Sequence, residues 1–265
     1  MNPSPVRFEM DGDIAVLTLD RPTAGNAIDL PLARALEQAA IRCESDDAIR
    51  CVVITGAGKL FCGGGDVVEF AQAGDDVSGY LYELAGTLHR GVARFMRMDK
   101  PLVTLVNGPA AGAGMSLALA GDVVIAAPSA RFVAAYGSLG LTPDGGMTWL
   151  LPRLVGLRMA QDLLINNRLI KAPEALELGM ISQLAEEGEL HTTGMAVAAK
   201  LAAGPVAAVG GVKRLLLDTF RETYEDQLDH ELDSICAAGG RPEGREGVSA
   251  FIAKRTPDFK GCMKS

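Results

Sequence analysis

Short apolar runs rich in branched residues alternate with amphipathic stretches over the first half of the chain. Amphipathic stretches alone fill the second half. Ile14 to Leu19 reads as a buried strand, entered from the turn Asp11-Gly12-Asp13 and closed by Asp20-Arg21-Pro22. After a loop over Thr23 to Asp29, Leu32, Leu36, Ala39, Ala40 and Cys43 fall at helical spacing and predict a helix over about residues 30–44. Cys51 to Thr55, Leu102 to Val106 and Val123 to Ala127 predict further buried strands, with a short one over Arg131 to Ala135. Residues 75–98 carry a long helical pattern through Leu81, Leu84, Leu88, Val92 and Phe95. From Leu139 the pattern is a loop, with Pro143-Asp144-Gly145-Gly146 as its turn, and then helix. Helices are expected near 158–166, 173–179, 189–203, 205–219 and 222–237. Strand–helix alternation followed by helices alone predicts the α/β class: a core over residues 1–200 and a helical region over 201–265 that packs on the core or on a neighbouring subunit.

Two turns in this pattern carry candidate chemistry. The strand ending at Val106 runs into Asn107-Gly108 and then Gly112-Ala113-Gly114, followed by an apolar helix start at Met115. The strand ending at Thr55 leads through Gly56 to Phe61-Cys62-Gly63-Gly64-Gly65-Asp66, again before a helix. Small residues at a helix start leave backbone N–H groups bare at the positive end of the helix dipole, where a negatively charged oxygen is favoured. The same residues also let a helix pack tightly on a sheet, and the pattern alone supports both readings.

Composition narrows the partners. With 25 basic and 33 acidic residues the net charge is −8, which argues against a general affinity for nucleic acid or an anionic membrane. The 265 residues are enough for one large core. Cys43, Cys51, Cys62, Cys236 and Cys262 are scattered and odd in number, and read as reduced thiols, with no zinc site or disulfide frame. The segment MNPSPVRFEMDGD lacks a basic-then-apolar leader pattern, and no apolar run is long enough to span a bilayer, so a cytoplasmic location is expected.

These pieces occur together in one known arrangement. Arg21-Pro22 with Asn26-Ala27, FCGGGD at 61–66, KPLVTLVNGPAAGAGMSLALAGD at 100–122, RFVAAYGSLGLTPDGGMTWLLPRLVG at 131–156, ALELGMIS at 175–182 and REGVSAFIAKR at 245–255 stand in order. In these segments the chain resembles the crotonase (enoyl-CoA hydratase/isomerase) superfamily over nearly its whole length. The PDGG-TWLLPRLVG context is closest to the enoyl-CoA isomerases of phenylacetate breakdown. The resemblance implies a stacked spiral of β-β-α units with a helical C-terminal part for trimerisation and pocket closure. It also implies a homotrimer or dimer of trimers and an acyl-CoA thioester substrate, with no cofactor beyond the coenzyme A that the substrate carries.

The resemblance further implies an oxyanion hole from the backbone N–H groups of Gly65 and Ala113. Alanine stands at 113 where the family more often has glycine, and it keeps the N–H. Gly63, Gly64, Asp66, Val67, Ala27 and Gly112 fall where the family lines the coenzyme A and acyl path, largely with backbone. Lys254 matches a C-terminal lysine that reaches coenzyme A, sometimes from a neighbouring subunit. Its bland alternative is a solvated helix face, and for Asp66 a helix N-cap.

The two glutamates of the hydratases map onto Ser116 and Tyr136, neither of which is a carboxylate base. Asp144 stands where several family members carry a catalytic aspartate. One carboxylate there could take a proton at the α-carbon and return it at the γ-carbon. Pro-Asp-Gly-Gly is equally a helix-capping turn. His89 matches the histidine base of 4-chlorobenzoyl-CoA dehalogenase, whose aspartate is the nucleophile. A lone histidine on a long helix is otherwise a packing or surface residue. Double-bond isomerisation through Asp144 is the favoured expectation. Dehalogenation through Asp144 and His89 is the alternative, with hydratase-like or non-catalytic ester binding behind it.

Overall fold

A computed structural model describes residues 4–263; the first three residues of the N-terminal segment read above lie outside the described ones. Strands β1 (Val6–Asp11) and β2 (Ile14–Leu19) form an antiparallel hairpin. Helix α1 (Leu30–Ser45) starts at Asp29, whose carboxylate accepts from the Leu32 N–H, and leads to β3 (Cys51–Gly56), parallel to β2. Helices α2 (Val67–Ala73) and α3 (Val77–Arg97) precede β4 (Leu102–Val106). Then come β5 (Ala110–Ala111), α4 (Ala113–Leu119), β6 (Val123–Ala126) and β7 (Arg131–Val133). The chain continues as α5 (Met147–Val155), α6 (Leu157–Ile165), β8 (Ile170–Lys171), α7 (Ala172–Glu177) and β9 (Gln183–Leu184). It ends in α8 (Leu190–Ala203), α9 (Val206–Asp218), α10 (Tyr224–Gly240) and α11 (Pro242–Ile252).

The main sheet has the order β1-β2-β3-β4-β6-β9 and is parallel apart from the first hairpin; β5, β7 and β8 form a small second sheet. The apolar runs are continuous because both faces of the main sheet are covered. On β3, Val52 and Ile54 join Leu32, Leu36 and Phe95 from α1 and α3, while Cys51 and Val53 join Ala198 and Ala202 of α8 on the opposite face. Each large side chain fully buried in this way contributes roughly 1.5–3 kcal/mol.

The predicted strands over 14–19, 51–55, 102–106 and 123–127 are present, as are the expected helices. Two expectations change and one strand is added. The long pattern from residue 75 starts after a separate α2, because Gly74 turns at φ +53 between the two helices. The strand expected through Ala135 stops at Val133, since Ala135 adopts φ +63. Strand β1 was not foreseen, because VRFEMD interleaves charged and apolar residues and buries only Val6.

Burial has a consequence for pH. Cys43, Cys51 and Cys62 are free thiols pushed up to about 12, in each case chiefly because burial disfavours the thiolate. The unfolded chain carries no such penalty, so each thiol contributes stability that is complete below the ordinary thiol range and lost as pH climbs toward the folded value. Melting temperature is expected to fall as pH rises beyond about 8.5. Cys51→Ala should flatten part of that fall, and a decline identical in the variant would contradict this account.

Candidate active site

The two glycine turns are in direct contact. Cys62 bridges Ala110 and Gly65 bridges Ile28, so the segment 62–65 runs between β5 and the loop before α1. Gly64 lies at φ +94, and a β-carbon there would stand 2.9 Å from the Ala111 carbonyl oxygen. Gly112, at φ 52 and ψ −130, occupies backbone space that only glycine enters readily, and its missing β-carbon would lie 3.6 Å from the Gly64 α-carbon. A larger residue at 64 would push the turns apart, and one at 112 would strain the backbone.

The segment also has a second support. The Ile28 N–H donates to Gly64 O (2.7 Å) and the Asp66 N–H to Ile28 O (3.0 Å), which leaves the intervening Gly65 N–H free. The Ala113 N–H opens α4, where no intrahelical acceptor exists. Among the described residues neither N–H has a protein acceptor. Gly63, Gly64, Gly65, Gly112 and Ala113 line one cavity of about 240 Å³, walled by Val67, Phe70, Leu84, Leu88 and Leu141 and reached by Tyr136 and Asp144.

Asp144 does not cap a helix. Gly146 is the N-cap of α5 and receives no side-chain bond. Instead the Tyr136 hydroxyl donates to Asp144 Oδ1 (2.7 Å), and His89 Nε2 lies 3.1 Å from Asp144 Oδ2. The Asp144 side chain is 27% exposed and that of His89 47%. Burial, and then the neighbouring Asp144 carboxylate, hold the Tyr136 phenol well above its ordinary range, so Tyr136 stays a proton-bearing donor and is no base near neutrality. The Ser116 hydroxyl donates to the Asp144 backbone carbonyl (2.8 Å). Both positions that carry glutamate in the hydratases therefore serve the Asp144 turn.

His89 reaches this group from the other side. Its ring lines a separate cavity of about 560 Å³, with Val92, Met96, Trp149, Leu150 and Leu217. The Gly145 N–H points at the same Nε2 (3.0 Å). When Nε2 accepts from Gly145, the neutral ring carries its proton on Nδ1. When Nε2 is protonated it donates to Asp144, and Gly145 loses its acceptor. Asp144 and His89 thus meet across 55 residues of chain, and the His89 tautomer decides whether Nε2 serves Gly145 or Asp144.

The remaining predicted residues fall outside this constellation. Asp66 accepts from the Val68 N–H (3.1 Å) as the N-cap of α2, and from Arg21 Nη2 (3.1 Å); it does not line the cavity. Ala27 contributes its carbonyl to Arg21 Nη1. Lys254 lies beyond the end of α11, exposed, and lines neither cavity, so the expected helix face is a turn at φ +51. Two further contributors leave little signal of their role in the sequence. Arg21 Nη2 bridges Asp29 and Asp66 (3.1 Å to each) and so ties the loop before α1 to the Gly63–Gly65 turn. Asn167 holds the turn that carries Tyr136. Arg21 was visible only as part of a matched segment, and Asn167 left no sequence signal beyond an Asn-Asn pair after a helix.

Known proteins share the sequence pattern and the fold. The pattern of the enoyl-CoA hydratase/isomerase family matches residues 9–262. The chain belongs to this family. It is 40% identical over 252 residues to a 1,2-epoxyphenylacetyl-CoA isomerase of Escherichia coli (strain K12), covering 94% of this chain and 95% of that one. It is 30% identical over 250 residues to a 4-chlorobenzoyl coenzyme A dehalogenase of Arthrobacter sp, covering 94% and 91%. A crystal structure of an enoyl-CoA hydratase from Polaromonas sp. JS666 superposes with a TM-score of 0.91 at 33% identity, covering 95% of this chain and 98% of that one. The crotonase fold, the membership of an enzyme family and the acyl-CoA class of its substrates follow for this chain.

Proposed function

We propose that this family member is an enoyl-CoA isomerase that moves a carbon–carbon double bond, with Asp144 as the group that carries the proton. The observation that carries the reading is the placement of the Asp144 carboxylate in the wall of the cavity that holds the free N–H groups of Gly65 and Ala113, with serine and tyrosine where a hydratase needs glutamates. The thioester oxygen accepts from the two N–H groups. Asp144 removes the α-proton of a 3-enoyl ester, the electron pair moves onto that oxygen as an enolate, and the resulting acid returns the proton at the γ-carbon. The enolate collapses to the 2-enoyl ester with no net proton change.

Val67 and the Gly63–Gly65 backbone line the entry for the pantetheine end. Lys254, lining neither cavity of its own protomer, is a coenzyme A contact only across a subunit boundary. A homotrimer or a dimer of trimers is supported by the apolar side chains exposed on α9 to α11, among them Leu216, Leu232, Ile235 and Phe251.

Dehalogenation is the second reading, favoured by the 3.1 Å contact between His89 and Asp144. A panel of 3-enoyl-CoA esters assayed beside a 4-halobenzoyl-CoA separates the two. Conversion of the enoyl esters to the 2-enoyl form without halide release is expected. Halide release with no double-bond shift would replace the first reading by the second.

A further inference from the structure

Tyr136 meets Asp144 only because the backbone before it is bent into an unfavourable shape. Ala135 sits at φ +63 and ψ −16, a left-handed conformation that is unfavourable for a residue with a β-carbon. Val133 ends β7 just before it, and a 3-10 turn over Tyr136–Leu139 follows. Strain of this kind persists only when neighbouring groups hold it.

The holding group is Asn167. Strands β7 and β8 pair antiparallel with Arg131 opposite Lys171 and Phe132 opposite Ile170. The same register carried outward sets Ala135 opposite Asn167. At that point the backbone ladder has ended and the Asn167 side chain replaces it. Asn167 Oδ1 accepts from the Ala135 N–H (2.6 Å), and Asn167 Nδ2 donates to Ser138 Oγ (2.7 Å). One amide therefore grips the residue before Tyr136 and the residue two places after it. Asn167 is itself left-handed at φ +50, a conformation asparagine tolerates better than most residues. It lines neither cavity. The segment it braces bears on both parts of the site: the Tyr136 hydroxyl donates to Asp144 Oδ1, and the Val133 carbonyl accepts from the Gly112 N–H (3.0 Å), beside Ala113.

We propose that Asn167 is a positioning residue: its side chain is a clasp that holds Tyr136 and, through the Tyr136 hydroxyl, fixes the orientation of the Asp144 carboxylate. The consequence for turnover rests on the isomerase reading; the clasp itself rests on the geometry.

Asn167→Gly removes the side chain while accepting the left-handed backbone, so it separates the clasp from backbone strain. For a 3-enoyl-CoA ester its kcat is expected to fall about 10- to 100-fold, the scale on which small misplacements of a catalytic group are felt, with KM little changed. Asn167→Asp keeps an acceptor for the Ala135 N–H and can accept from the Ser138 hydroxyl, and is expected to recover most of the loss. In a Tyr136→Phe background Asn167→Gly should cost little more, because the hydroxyl it positions is gone. Full kcat in Asn167→Gly, or losses that simply multiply in the double variant, would overturn the clasp.

An activity-independent arm uses 3-fluorotyrosine in place of the four tyrosines, with the Tyr136 fluorine signal assigned by Tyr136→Phe. In the otherwise native protein that signal is expected to shift on Asp144→Asn, and in Asn167→Gly it should lose this response. An undiminished response overturns the proposal. If the response is lost as expected but Asp144→Asn leaves turnover intact, the clasp stands and the isomerase reading fails.

Discussion

Asp144→Asn is expected to lower kcat for 3-enoyl-CoA isomerisation by about 10²–10⁴-fold, the range that a positioned general base contributes. Asparagine has nearly the same shape, can accept from the Tyr136 hydroxyl at the Oδ1 position, and can present its amide to His89. The Ser116 bond goes to the backbone carbonyl of residue 144 and is unaffected by the side-chain change. On the proposed reaction, the variant lacks the capacity to hold the substrate's proton between the α- and γ-carbons. KM should therefore change little, and thermal unfolding should stay close to that of the unaltered protein. Steady-state kinetics with a matched 3-enoyl ester measures this. A variant that keeps kcat within a few-fold would place the proton transfer on another group, and His89, 3.1 Å away, would be the first to examine.

The second large effect is expected at the other end of the reacting system. Ala113→Pro removes a single N–H from the cavity at the first residue of α4, a position where proline fits a helix because that N–H has no intrahelical partner. Loss of one oxyanion donor costs about 10²–10³ in kcat. The decrease should appear in kcat more than in KM, since the thioester oxygen carries its full charge only as the enolate forms. Circular dichroism and the melting temperature establish that α4 is retained. Ala113→Gly, which keeps the N–H, should remain within a few-fold of the unaltered protein. A proline variant that is folded and fully active would remove Ala113 from the oxyanion hole.

The sequence exposed those parts of the fold whose physics is local. Strands β2, β3, β4 and β6 are continuous apolar runs because the sheet is buried on both faces, and such runs are visible without a structure. Strand β1 was hidden because it is an edge strand with charged residues facing solvent. Strands β5, β8 and β9 are two residues each, too short to show any period. In the site, both glycine turns were legible as helix starts with bare N–H groups. That Gly64 packs against Ala111 is a product of sheet order, which no local pattern encodes.

Asp144 illustrates the same limit. Its turn has the composition of a helix cap, and only the positions of Tyr136 and His89 show that its carboxylate is engaged elsewhere. His89, on α3, approaches it across 55 residues of chain. Ser116 and Tyr136 were visible as missing glutamates, yet their use, holding the backbone and the carboxylate of residue 144, required the folded arrangement.

In the proposed reaction Asp144 takes a proton from the α-carbon of a thioester whose oxygen is held by Gly65 and Ala113. Exchange of the α-hydrogens of a panel of CoA esters with deuterium oxide, followed by mass spectrometry or NMR, reads this step directly, even where no product forms. Exchange is expected with the unaltered protein and none above background with Asp144→Asn, while the variant still binds the ester. Equal exchange by the two proteins would contradict the proposed reaction.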